Sequence, residues 1–151
     1  MIRTLDDSAY VYCFKVCKEV LASYSNPTKR DYPSMVVACS LKGNSFVDRS
    51  GEIIQYCKLM DDRFLCKHHV RSWNLSMVTN INRWKVGNCA EEHVANKALE
   101  TVTGCNDRDI DNIIFSHAIR PRTKNTRHYC DNCLLTFPQL SNEGVIELFD
   151  E

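Results

Sequence analysis

The alternation of hydrophobic and polar positions divides the chain into helical and extended segments. Residues 5–24 carry apolar side chains at spacings of three and four, which predicts an amphipathic helix. The pair Asn26-Pro27 is expected to end this helix, because proline does not continue helical geometry. The apolar stripe that marks the predicted helix consists of Tyr10, Phe14, Cys17 and Leu21.

The next part of the chain predicts a β-hairpin. Residues 34–41 are apolar and rich in Val, which is typical of a buried strand. The triplet Lys42-Gly43-Asn44 indicates a turn, and residues 45–48 would return as a short second strand. Residues 51–57 fit either a strand or a helix and residues 61–73 look helical, and we interpret 52–88 as a variable insertion or connection within a single domain that covers residues 1–151.

The second half of the chain alternates between helical and extended patterns. Residues 89–102 give the clearest helical pattern, with Asn88 as the expected N-cap and Gly104 as the expected stop. The remaining predicted elements are a strand at 110–119, a short helix at 130–140 and a last strand at 144–149. This order predicts an α/β layered domain in which helices flank one mixed sheet.

Composition narrows the class of protein without identifying it. The 151 residues are enough for one compact domain, and 44% of them are hydrophobic. Nineteen basic residues balance nineteen acidic ones, so attraction to nucleic acid must come from local patches. The sequence has neither a long apolar run nor a signal-peptide core, so we expect a soluble, cytoplasmic chain with no membrane partner. It could also be a domain of a longer protein.

Nine cysteines are spread along the chain, and an odd number argues against a complete disulfide framework. Most are expected to be reduced and buried, but three lie in segments that suggest metal binding. Cys89-Ala90-Glu91 begins one predicted helix, and Cys130-Asp131-Asn132-Cys133 begins another. A helix N-terminus favours thiolates, and two cysteines three residues apart can grip one ion.

This arrangement predicts a catalytic zinc site. Cys89, Cys130 and Cys133 would supply three ligands, and a zinc ion with three protein ligands keeps its fourth position for water. Glu91 lies two residues after Cys89, so its carboxylate could sit beside the metal and transfer protons without binding it.

The same residues carry a family resemblance. Cys-x-Glu followed by a later Cys-x-x-Cys resembles the zinc-dependent cytidine deaminase-like superfamily over roughly residues 34–149. The stretch Gly87-Asn88-Cys89-Ala90-Glu91-Glu92-His93-Val94-Ala95-Asn96-Lys97-Ala98-Leu99 is similar to the YwqJ-like branch of bacterial toxin deaminases. One departure is Tyr129, which stands where the superfamily usually has proline before the Cys-x-x-Cys motif.

The resemblance implies a fold, a site and a substrate class. It implies a three-layer α/β/α sandwich with a mixed central sheet, zinc bound by Cys89, Cys130 and Cys133, and Glu91 as the proton shuttle. The implied activity is hydrolytic deamination of cytosine in single-stranded DNA or RNA, and single strands suit a pocket that must hold an unstacked base. Such domains are often toxins delivered into a rival cell, which would make an immunity protein a partner.

Candidate substrate contacts surround the predicted metal ligands. A basic loop leads into Cys130 and would contact phosphates, and aromatic residues beside the motifs could stack on a base. Asn44, in the predicted turn, is a candidate sugar contact, although asparagine is also an ordinary turn residue. The complete set of candidates is Asn44, Trp84, Arg120, Arg122, Lys124, Arg127 and Tyr129.

Alternative interpretations of the motifs stay open. The Cys-x-x-Cys pair could be a redox motif, and a structural zinc site could take His93 or His128 as its fourth ligand. The enzyme could also act on free cytidine or a related nucleotide, for which the basic loop would be unnecessary. A non-enzymatic, zinc-stabilised binding module is the third possibility.

Overall fold

The computed structural model of the chain describes residues 2–51, 54–63, 89–129 and 131–142. Helix α1 spans Ile2–Ser23, strand β1 Val36–Leu41, strand β2 Asn44–Arg49, and residues 58–63 form helix α2. Helix α3 spans Ala90–Thr101, helix α4 Asp107–Asp111, strand β3 Ile114–Phe115, strand β4 Ala118–Ile119, strand β5 Thr126–Arg127 and helix α5 Asp131–Thr136. Single 3-10 turns occupy Lys29–Asp31 and Pro138–Asn142.

The strands form one sheet in the order β2-β1-β4-β5, and β3 also pairs with β1. Every strand pairing among the described residues is antiparallel, so the predicted mixed sheet is not seen in this part of the chain. The predicted last strand at 144–149 lies outside the described residues.

The predicted hairpin is confirmed. Strands β1 and β2 pair from Val36 opposite Arg49 to Leu41 opposite Asn44. The two turn residues have positive φ angles, 49° at Lys42 and 81° at Gly43, which matches the twist of a two-residue hairpin turn. All residues of β1 are buried, which makes this strand the centre of the fold.

Strands β3 and β4 are two halves of one interrupted strand that pairs with β1. Cys39 pairs with Phe115, but Val36 pairs with Ile119, so β1 advances three residues while its partner advances four. The extra residue is a β-bulge. Ser116 maintains the connection there: its backbone N–H donates to the Ala38 carbonyl at 2.8 Å, and its hydroxyl accepts from the Ala38 N–H at 2.9 Å.

The helix predicted near the N-terminus is confirmed, but its buried face differs from the predicted stripe. The structure leaves Tyr10, Phe14 and Leu21 exposed. Both stripes have helical spacing, and the sheet accepts the one with the smaller side chains because α1 lies directly on β1. The buried residues of α1 are Leu5, Ala9, Cys13, Val16 and Val20.

Helix α3 also matches its prediction, with one correction at its beginning. Cys89, and not Asn88, occupies the N-cap position with extended backbone angles, while Asn88 lies outside the described residues. Gly104, with a φ of +76°, follows the end of the helix as expected. Small residues let α3 pack closely on β1, and those that are fully buried are Ala90, Val94, Ala95 and Ala98.

The predicted strand at 110–119 begins too early. Residues 107–111 form helix α4, because Asn106 caps it: the Asn106 side chain accepts from the Arg108 N–H at 2.9 Å. Asp109 completes the cap by accepting from the Asn106 N–H at 2.6 Å. The extended segment therefore starts only at β3.

Two buried cores lie on opposite faces of the sheet. Side chains of Val36 and Ala38 face α1, whereas those of Val37, Cys39 and Leu41 face the core that contains α3 and α5. Helices therefore pack on both faces of the sheet, in agreement with the predicted α/β class. None of the helices in the described ranges has the length and hydropathy needed to cross a membrane.

Candidate metal centre

The first part of the candidate site is the N-terminal end of α3. Cys89 is buried, and its carbonyl accepts the first helical hydrogen bond from the His93 N–H at 3.1 Å. The unpaired N–H groups of the first helical turn carry partial positive charge, which favours the thiolate form of a cysteine at this position. The local fold therefore places Cys89 at the positive end of α3.

The second part of the site comes from α5. Cys133 is fully buried, and its thiol lies 3.4 Å from Oε1 of Glu91, to which it donates a hydrogen bond. Glu91 belongs to the first turn of α3 and is only 3% exposed. Residues distant in the sequence thus bring a sulfur and a carboxylate into contact inside the core.

Three buried side chains form a group that could hold a metal ion. The ligand atoms of Cys89, Glu92 and Cys133 all lie within 4.8 Å of one another. Thiolate and carboxylate are both ordinary zinc ligands, so the donor set fits zinc. Burial of all three side chains favours the binding of a cation, because a cation would compensate negative charges that are removed from water.

The predicted ligand set is brought together only in part. Cys89 and Cys133 lie in one group, with the predicted proton shuttle Glu91 in contact with Cys133. Cys130, the third predicted ligand, lies outside the described residues. Zinc itself and the role of Cys130 stay predictions.

Glu92 is a site residue that the sequence interpretation missed. Its side chain is 0% exposed, although a glutamate next to another glutamate is normally expected on a solvated face. Its position three residues after Cys89 was a usable signal, since residues three apart lie on the same side of a helix.

Tyr56 and Asn96 were also missed, because Tyr56 and the backbone partners of Asn96 lie in residues 52–88, which were treated as a variable connection. The Asn96 amide oxygen accepts from the Cys57 N–H at 2.7 Å, and its amide nitrogen donates to the Gln55 carbonyl at 3.4 Å. These two hydrogen bonds hold Gln55 and Cys57, the residues on either side of Tyr56, against α3. The hydroxyl oxygen of Tyr56 is buried, and the Tyr56 ring packs against the core that contains Cys89 and Cys133.

The basic loop, which precedes the last predicted ligands in the sequence, brings several positive charges together. Burial, followed by the positive charges of Arg127 and Arg122, lowers the pKa of Arg120. Arg122 is exposed, whereas Arg120 and Arg127 are half-buried. A phosphate group would relieve this mutual repulsion, as the predicted role requires.

Other predicted contacts have defined positions in the fold. Lys124 lies on the α1 side, with its ammonium 4.7 Å from the centre of the Phe14 ring and 3.7 Å from Sγ of Cys17. Tyr129 is 5% exposed, and its hydroxyl donates to the Ser116 carbonyl at 2.9 Å. Their roles in substrate binding stay predictions.

Two further candidates cannot be placed at the metal group. The exposed Asn44 side chain donates to the Lys42 carbonyl at 3.3 Å, which is a turn-closing role. Trp84 lies outside the described residues. Of the two histidines considered as fourth ligands, His93 is half-buried in α3 and His128 is exposed, and neither belongs to the metal group.

No protein-family model, curated protein or solved structure matches this chain. The function must therefore be inferred from the geometry of the site and from its chemistry.

Proposed function

We propose that the protein is a zinc-dependent hydrolytic deaminase that acts on cytosine in single-stranded DNA or RNA. The observation that carries this proposal is the contact between Glu91 and Cys133 at 3.4 Å, beside Cys89 at the beginning of α3. It is the arrangement expected of a proton-transferring carboxylate beside metal-binding thiolates. The three-layer deaminase fold, with zinc bound by Cys89, Cys130 and Cys133, is part of the proposal.

Zinc and Glu91 have separate roles in the proposed reaction. When bound, zinc supplies Lewis acidity, which makes water a usable nucleophile at neutral pH. Glu91 takes the proton from water at its carboxylate oxygen and passes it to the ring nitrogen of the base. Burial of Glu91 excludes bulk water, so the proton is transferred within the site.

The decisive experiment replaces the carboxylate and keeps its shape. Glu91→Gln is expected to lower the deamination rate on a cytosine-containing oligonucleotide by roughly 10²–10⁴-fold, the usual contribution of general acid–base catalysis. Zinc content should be retained, because the proposal does not make Glu91 a ligand. The matched control is Glu19→Gln, which changes a surface carboxylate paired with Arg49. Equal activity in Glu91→Gln and wild type would refute the proposal.

The basic loop supports a polynucleotide over a free nucleoside. Because Arg122 is exposed beside two other arginines, we expect it to contact phosphate. Arg122→Gln should weaken binding to single-stranded oligonucleotides and reduce the salt dependence of log K by about 0.7, the contribution of one phosphate contact. Activity on cytidine should fall less than activity on the oligonucleotide. An equal loss on both substrates would favour a deaminase of free nucleosides.

A non-enzymatic zinc-stabilised module is the competing function, and Glu92 is the observation that favours it. A carboxylate within 4.8 Å of both sulfurs could complete a closed set of four protein ligands, which is typical of structural zinc sites. In that case Glu91→Gln would have no catalytic effect, and the zinc content would again be retained. The state of Glu92 therefore decides between the two functions.

A further inference from the structure

Helix α1 is apolar on its outer face as well as on the face that packs on the sheet. Tyr10 and Phe14 are 45% and 51% exposed, and Leu21 continues the same line along the helix. The outer face of a helix that is packed on one side is normally polar, so these exposed rings require a reason. We call Tyr10, Phe14, Cys17 and Leu21 the outer stripe.

The two rings of the outer stripe contact each other. The ring centres of Tyr10 and Phe14 lie 5.2 Å apart, and the ring planes are inclined by 77°, which is an edge-to-face arrangement. The contact fixes the orientation of the pair, while about half of each residue stays accessible. Accessible ring surface is what a nucleic-acid base needs in order to stack on a protein.

The basic loop lies against the same stripe. The ammonium of Lys124 lies 4.7 Å from the centre of the Phe14 ring. The Cys17 thiol donates to the Pro121 carbonyl at 3.2 Å, and the Lys124 N–H donates to the Arg120 carbonyl at 2.6 Å. These contacts hold the loop on α1 and place a positive charge beside an exposed ring.

Lys124 has a backbone conformation that does not favour lysine. Its φ angle is +62°, in the left-handed region where glycine and asparagine are preferred. Strained residues of this kind occur mainly where they serve a function. A role for the ammonium group explains why the position holds a lysine.

The combination of rings and cations favours a nucleic acid as the occupant of this surface. Lysine is depleted in the cores of protein–protein interfaces, because burial of its charge is costly. Surfaces that bind single-stranded nucleic acid instead combine aromatic rings with basic groups that follow the phosphates. Lys18 of α1 and Arg122 of the loop are also exposed and add positive charge to that of Lys124.

The basic loop connects the outer stripe with the metal side of the sheet. Ile119, just before the loop, packs in the core beneath α1, whereas Tyr129, just after it, packs in the core that contains Cys133. Between them runs β5, which is the last strand of the sheet within the described residues. A nucleic-acid strand that follows the loop therefore passes around the edge of the sheet toward the candidate metal group.

We propose that the outer stripe and the basic loop form a second binding surface for single-stranded nucleic acid, in which bases stack on Tyr10 and Phe14 while Lys124 and Arg122 contact phosphates. The identity of the polymer rests on the proposed function, but binding at this surface does not require deamination. The surface holds nucleotides beyond the target base, so it lowers the concentration of polynucleotide that the enzyme needs.

The first test measures the affinity for a short fluorescein-labelled oligothymidine by fluorescence anisotropy. The probe contains no cytosine, so binding is separated from deamination. Tyr10→Ala and Phe14→Ala should each weaken binding by roughly five- to a hundredfold, the loss expected for one stacked base. Leu21→Ala is the matched control, because it removes an exposed side chain of the same stripe that has no ring, and it should leave the affinity unchanged.

The second test concerns the phosphate contact. Lys124→Asn removes the charge without straining the loop, because asparagine tolerates the left-handed conformation. It should reduce the salt dependence of log K for oligothymidine by about 0.7, the contribution of one phosphate contact to a single strand. An unchanged salt dependence would contradict the role of Lys124.

Deaminase activity separates this proposal from the proposed function. Tyr10→Ala should raise KM for a cytosine-containing oligonucleotide much more than KM for cytidine, because only the oligonucleotide reaches both surfaces. If wild type binds oligothymidine through Tyr10 and Phe14 but deaminates nothing, the proposed function fails and the binding surface is confirmed. If wild type deaminates the oligonucleotide but Tyr10→Ala changes neither binding nor KM, the binding surface is refuted.

An interface between copies of the chain is the competing use of the outer stripe. Gel filtration should give the same elution volume for wild type, Phe14→Ala and Leu21→Ala. A dimer that both substitutions dissociate, with oligothymidine binding unchanged, would overturn the proposal, since an interface of that kind buries aliphatic and aromatic side chains alike. Circular dichroism of each variant checks that the fold is retained.

Discussion

The two faces of the sheet use the same central strand for different purposes. Toward α1, β1 contributes Val36 and Ala38 to a core that also contains Leu5 and Val16. Toward α3, the core around β1 contains three buried thiols, and Glu91 and Glu92 beside them are both nearly inaccessible to water. Apolar burial stabilises a fold directly, whereas buried carboxylates cost stability unless they are compensated. The α1 face is therefore an apolar core alone, whereas on the α3 face a larger apolar core surrounds the group that could hold a metal ion.

The largest expected effect tests this division with one substitution on each face. Cys133→Ala should reduce the zinc content from about one ion per chain to nearly none, since a zinc site that loses a thiolate ligand loses most of its affinity. Cys13→Ala, in the α1 core, should retain zinc. Metal analysis after dialysis of both purified variants checks this. Equal zinc content in the two variants would remove the functional distinction between the faces.

The next effect concerns stability. Leu5→Ala deletes a buried side chain beneath α1 and should lower the free energy of unfolding by about 2–5 kcal/mol. The folded fraction should still bind zinc, because the deletion lies on the opposite face. Leu21→Ala is the matched control: Leu21 is 61% exposed, so its loss should change stability by no more than about 0.5 kcal/mol. Urea unfolding of the three proteins gives the comparison, and an equal cost at both positions would contradict the assignment of the buried face.

The smallest expected effect is a loss of stability at alkaline pH. One buried thiol on each face of the sheet contributes to it. Burial raises the pKa of Cys39 to about 12 and that of Cys13 to about 11, from an ordinary value of 9.0. Above about pH 9 the unfolded chain releases these protons while the folded chain retains them, so stability is complete below that pH and falls as the pH rises toward 11–12.

Urea unfolding at about pH 8 and about pH 10 measures this loss, which should be of order 1 kcal/mol per pH unit for each thiol. Cys39→Ala and Cys13→Ala should each flatten the dependence. An alkaline slope that neither substitution changes would show that other groups control it.

The sequence was sufficient for elements whose signals are local. The hairpin followed from a Val-rich run and Lys42-Gly43, and α3 followed from its helical spacing. The capping pair Asn106 and Asp109 was equally local and would have predicted α4. In contrast, two apolar stripes on α1 have helical spacing, and only contact with the sheet decides which one is buried.

The candidate site was predictable where a motif carried it. Cys89, Glu91 and Cys133 were identified because their types and spacing resemble a known pattern. Glu92 was missed because charge alone suggests exposure, whereas the folded structure buries it completely. Tyr56 belongs to no motif, and its place in the site depends on long-range hydrogen bonds to Asn96.

The bulge at Ser116 has a topological consequence. Successive side chains of a strand point to opposite faces of the sheet, so one added residue reverses the face to which each later side chain points. Phe115 points into the core on the α3 side, whereas Ile119, four residues later, points toward α1. Removal of one of the three residues between them would restore an unbulged strand, in which residues three apart point to opposite faces, so Ile119 would still point toward α1. A one-residue deletion in this segment should therefore remove the bulge and leave the facing of β4 unchanged, so natural variants should tolerate a deletion there more readily than an insertion.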